Sequence, residues 1–175
     1  MRIRVIALVA AAMMPFAAAS AQETAIGPSN VLSFQPLTAM LTVYAAEYER
    51  KTGTALTFGI GGTYSDLGDN DLTYRSGDLK LRYYPQGTAL SGFSFGGSVG
   101  YTSVSETLFD GSDASANGPS FGVLLEYQWL MGASRNFALA LGLGAKAVMV
   151  DEAEFSSSDF IARYPTARVS VGWAF

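Results

Sequence analysis

From residue 43 to the last residue, the chain repeatedly places apolar side chains at every second position, with small or polar ones between them. In Gly92 to Ser103, Phe93, Phe95, Gly97, Val99 and Tyr101 share one face, while Ser94, Gly96, Ser98, Gly100 and Thr102 share the other. A period of two is the signature of a β-strand with unlike faces. The same alternation runs through Leu56 to Tyr64, Phe121 to Trp129, Phe137 to Gly144 and Arg168 to Phe175. Shorter versions set Leu79, Leu81 and Tyr83 against Lys80, Arg82 and Tyr84, and Tyr44, Ala46 and Tyr48 against Val43, Ala45, Glu47 and Glu49. These make seven strands. An eighth is expected at Asn30 to Gln35, because an up-and-down bacterial barrel has an even count with both termini on one side.

The connections alternate as well. Lys51 to Gly53, Gln86 to Ser91 and Met131 to Asn136 are short, whereas Asp66 to Gly77, Thr107 to Gly118 and Asp151 to Arg163 are long. Small turns at one end and larger loops at the other are what a transmembrane barrel predicts. Aromatic residues fall into two sets on this frame. Tyr48, Tyr83, Phe93, Trp129, Phe137, Trp173 and Phe175 belong to the short-turn end, and Tyr64, Tyr101, Phe121, Phe155, Phe160 and Tyr164 to the long-loop end. Two interfacial girdles are the expectation, since an aromatic ring can keep one edge wet and the other in hydrocarbon.

The N-terminus changes the picture from shape to address. Arg2 and Arg4 precede an apolar run from Val5 to Met14, followed by Pro15 and the small segment Ala17 to Ala21. That order reads as a secretory signal peptide over residues 1–21, with Ala19-Ser20-Ala21 as the cleavage motif and a barrel domain over 22–175. Removing Arg2 and Arg4 takes the formal net charge from -4 to -6, which argues against a nucleic-acid partner. With no cysteine in the chain, disulfides cannot supply its stability.

Charges on the polar face of the strands decide what the interior contains. Glu47, Glu49, Lys80, Arg82, Glu126, Lys146 and Arg168 all lie mid-strand on the face opposite the apolar one. In a closed barrel they converge in the lumen as a charge network, where eight strands leave room for side chains and little else. The expected fold is therefore all-β: a closed antiparallel eight-stranded up-and-down transmembrane β-barrel with a plugged polar lumen. A narrow pore remains an alternative, as does a soluble lipocalin-like barrel with its apolar face turned inward around an apolar ligand.

Enzymatic chemistry finds little to work with. The chain has neither histidine nor cysteine, which excludes Ser-His and Cys-His nucleophile pairs and the usual zinc ligand sets. A Ser-Lys pair around Lys146 or an acid pair at Glu47 and Glu49 is conceivable, but lumen packing explains these residues better. The loop Asp66-Leu67-Gly68-Asp69-Asn70-Asp71 carries three carboxylates without the spacing or terminal Glu of a calcium loop. Asp110 to Gly118 reads as a polar loop. No catalytic residue, metal site or cofactor is expected.

The terminal segment Thr166-Ala167-Arg168-Val169-Ser170-Val171-Gly172-Trp173-Ala174-Phe175 resembles the C-terminal signal of Gram-negative outer-membrane proteins, which alternates apolar residues and ends on an aromatic. The resemblance implies that Val169, Val171, Trp173 and Phe175 are an assembly signal read by the barrel-assembly machinery. Tyr44 to Arg50 and Leu81-Arg82-Tyr83-Tyr84-Pro85 also resemble small outer-membrane barrel domains of the OmpA-like and OmpX-like kind. That resemblance implies an outer-membrane location, contact with lipid and lipopolysaccharide, a monomer, and a structural or surface-interaction role. A periplasmic peptidoglycan-binding domain is not expected beyond Phe175, so the resemblance does not imply a cell-wall tethering role.

Overall fold

The computed structural model describes residues 27–67, 72–107, 113–150 and 160–175. The expected leader over 1–21 and Phe155 lie outside them, as do residues 68–71 and the 108–112 and 151–159 parts of the expected loops. The strands are β1 (Asn30–Phe34), β2 (Val43–Lys51), β3 (Leu56–Leu67), β4 (Leu72–Tyr83), β5 (Gly92–Thr107), β6 (Asp113–Met131), β7 (Phe137–Val150) and β8 (Phe160–Ala174), with a short helix α1 (Pro36–Ala39) between β1 and β2. Each strand pairs antiparallel with the next, and β1 closes on β8 to complete the barrel.

The register sets the barrel's shape. The pairing path from Leu32 runs through Tyr48, Ile60, Leu79, Val99, Phe121 and Ala147 to Arg163 on β8, whereas the residue paired with Leu32 on that strand is Trp173. That ten-residue offset is the stagger of the barrel, and it obliges the strands to tilt by roughly 35–45° from its axis.

The pleat then sorts side chains. The outward face carries the large apolar residues, among them Val123, Leu125 and Leu143 at 65%, 56% and 68% exposure. The inward face carries Ser33, Glu47, Glu49, Thr57, Arg82, Ser94, Glu126, Gln128, Arg168 and Ser170, all buried. Buried apolar side chains gather at the short-turn end, where Val31, Leu90, Ala138 and Ala174 pack together against Leu130. Leu90 holds a left-handed backbone, φ 72°, in the turn before β5.

Three features differ from the sequence reading. The expected long loops are partly strand, because β3 runs to Leu67, β4 starts at Leu72, β6 starts at Asp113 and β8 starts at Phe160. The extensions at 72–77 and 113–118 are mostly small or polar, so no apolar stripe marks them. β1 ends at Phe34, one residue short of the expected Gln35. Tyr164 is the third: it faces the lumen and hydrogen-bonds to Tyr74 instead of joining the outer aromatic girdle, because it shares its parity with Arg168.

Candidate functional site

Six of the seven expected lumen charges meet in one cluster nearer the short-turn end. The alternation of β2 aims Glu47 and Glu49 inward together, and that of β4 aims Lys80 and Arg82 to meet them. Arg82 is the hub. Its Nη2 lies 2.6 Å from Glu47 Oε1, its Nη1 3.0 Å from Glu49 Oε2, and its Nε 3.6 Å from Glu126 Oε1. Arg168 enters from β8, with Nη1 2.7 Å from Glu47 Oε2 and Nε 3.2 Å from Glu126 Oε2. Its Nη2 also donates to Ser33 Oγ at 3.2 Å. Lys80 pairs with Glu47 as a third cation. Three carboxylates thus meet three cations, so the cluster is neutral.

Polar neighbours add hydrogen bonds at Glu49. Glu49 accepts from Thr57 Oγ1, and from the Tyr84 hydroxyl at 2.9 Å. Tyr84 lies in the turn after β4, where burial, and then the Glu49 carboxylate, push its phenol above the usual range and keep it a donor. Below the cluster the apolar group around Leu90 forms a floor, fastened by a hydrogen bond from Gln128 Nε2 to the Leu90 carbonyl at 2.8 Å. Gly96 faces the guanidinium stem: a Cβ there would lie 2.9 Å from Arg82 Cγ, so only glycine leaves the arginine its course.

The seventh expected charge, Lys146, stands apart. It pairs at 2.9 Å with Asp78 Oδ1, higher in the barrel. Asp78 was missed in the sequence because β4 was read from Leu79, although its parity with Lys80 and Arg82 was available. Higher still, the Tyr74 and Tyr164 hydroxyls meet at 3.1 Å. Between these levels and the ion-pair cluster lies a cavity of about 400 Å³. The acid pair Glu47 and Glu49 and the lysine Lys146 are all engaged in these ion pairs, so none is left as a free base. Among the described residues no group of three or more metal-ligating side chains is placed to hold an ion.

The four expected assembly-signal residues sit at the end of β8 or just beyond it. Trp173 and Phe175 are exposed on the outer face. Val169 and Val171 share their parity and pair with Leu141 and Leu139 of β7.

The chain is thus an all-β closed barrel of eight antiparallel up-and-down strands, apolar outside and ionic inside. Two solved structures share this fold. Neisserial surface protein A matches with a TM-score of 0.51 at 14% identity, over 83% of this chain and 92% of its own. The N-terminal β-barrel domain of Pseudomonas aeruginosa OprF matches with a TM-score of 0.50 at 13% identity, over 85% and 98%. At these identities the likeness is one of fold. No protein-family model and no curated protein sequence matches the chain.

Proposed function

We propose that this chain is an integral protein of the Gram-negative outer membrane, exported by a cleaved leader over residues 1–21, whose lumen is plugged and whose role is structural or surface-interacting rather than enzymatic. One observation carries the reading: the barrel is apolar outside and ionic within. A water-soluble barrel with this many large apolar side chains turned outward would aggregate, whereas a bilayer requires that surface. Closure supports it too, since a spanning sheet cannot leave an edge in hydrocarbon. The soluble ligand-carrying alternative needs the opposite facing and loses ground on the same observation.

The Arg82 cluster and the Leu90 group, buried in the short-turn half of the lumen, favour a plug over a narrow pore. Planar-bilayer recordings test this: the reading expects no steady conductance from the wild-type barrel, and regular ohmic openings would make it a pore. Partners follow from the location. They are lipid and lipopolysaccharide around the apolar belt and the barrel-assembly machinery at Val169, Val171, Trp173 and Phe175, with the protein acting as a monomer.

A further inference from the structure

β1 is only five residues long, and its brevity leaves a breach in the wall. It pairs with β8 from Val171 to Ala174 and no further, while β8 continues up to Phe160. Phe160 to Ser170 therefore have β7 on one side and no strand on the other. Pro165 falls within this stretch, and proline, lacking an N–H, is tolerated in a strand where the ladder is absent on one side. Opposite, β2 runs up to Val43 with its β1 side unpaired beyond Ala46, apart from the Gln35 amide donating to the Ala45 carbonyl at 3.1 Å.

Residues 35–42, including α1, bridge this gap. α1 packs against both β2 and β8. Yet among the described residues no backbone hydrogen bond joins 35–42 to β8, so the backbone ladder is interrupted on that side of the bridge. Leu37, Met40 and Leu41 on this segment are exposed, continuing the apolar outer surface across the gap. The breach opens beside the cavity. Gln35, Thr38 and Ala45 from one side of it and Thr166 and Ala167 from the other line that 400 Å³ space, a volume in the range of small-molecule sites.

The charged residues lining the cavity are Lys80, Arg82, Lys146 and Arg168 with a single acid, Asp78. The carboxylates Glu47, Glu49 and Glu126 that pair with Lys80, Arg82 and Arg168 do not line it. A ligand in the cavity thus meets cations first, with small residues such as Ala45 and Ala167 beside the wall.

We propose that the cavity binds a single-chain amphiphile with an anionic head, admitted from the bilayer between residues 35–42 and β8. The head lies near Lys146 and Lys80, and the acyl chain leaves through the breach into the surrounding lipid. This rests on the membrane reading above, and the test separates the two.

The full-length protein is assembled into phosphatidylcholine vesicles containing a sixteen-carbon fatty acid with a diazirine near its carboxylate, then irradiated, and adducts are mapped by peptide mass spectrometry. Adducts on the inward residues Ala45, Thr63, Ser98 or Thr166 are expected, lost in Ala45→Trp and in Thr166→Trp, which fill the cavity from opposite sides of the breach. The double variant Asp78→Asn with Lys146→Gln, which leaves no lone charge, should weaken labelling about tenfold, as should replacing the acid by the matching alcohol. Adducts confined to outward residues such as Val99 and Leu125, in protein that still shows a heat-shifted band, would overturn the site and leave the barrel standing. Equal labelling by the alcohol would overturn the anionic head. Protein with no heat-shifted band would overturn the membrane reading itself.

Discussion

Arg82 pairs with three carboxylates, Glu47, Glu49 and Glu126, and its loss should be felt accordingly. Arg82→Met leaves Glu47, Glu49 and Glu126 facing one another with Lys80 and Arg168 as their remaining cations. Removing one partner of a buried ion pair costs about 3–5 kcal/mol, so equilibrium urea unfolding from lipid vesicles should show a loss of that order. A midpoint unchanged from wild type would mean that the cluster is hydrated. Tyr84→Phe removes a single donor to a buried carboxylate, with an expected cost of about 1–3 kcal/mol in the same assay. The residues of the cluster were legible in the sequence, because each sits at the inward parity of a readable strand. Their pairing was not, since alternation says which face a charge occupies and nothing about which strands stand opposite. Leu90 was invisible for a different reason: it lies in a turn, where no periodicity reports burial.

At the level of elements, the facing of the strands is the claim most open to attack. Leu141 lies outward on β7, exposed and paired with Val169 of β8. Leu141→Arg should therefore cost about 2–4 kcal/mol near the bilayer midplane, read as reduced folded yield and stability in vesicles; wild-type behaviour would reverse the assignment of faces. On the inner face, Gly96→Val should displace the Arg82 side chain and lower stability, while Gly77→Ala on the outer face of β4, where an added Cβ meets nothing within 4 Å, should not. The contrast separates the loss of lumen packing from the general effect of replacing a strand glycine. Strand extension beyond the apolar belt was hidden in the sequence, since Ser- and Thr-rich arms of a protruding hairpin need no unlike faces. The brevity of β1 was legible as a weak pattern; its consequence, an unpaired β8 edge, needed the register.

For the molecule as a whole, closure, stagger and charge placement agree on one environment. The wall is apolar, the interior charges are paired, and the Leu90 group is buried at the short-turn end. Fold class was readable because eight alternating segments with alternating connection lengths leave few architectures. The role was not, because any specificity for a partner resides in loop residues that carry no periodic constraint. The measurement that tests the account most directly is electrophoretic mobility, with and without boiling, of protein recovered from the outer-membrane fraction, comparing the full chain with one lacking Trp173 to Phe175. The account predicts outer-membrane recovery and a band that shifts on heating, both lost in the truncated chain. A freely soluble protein whose mobility ignores heating would contradict it.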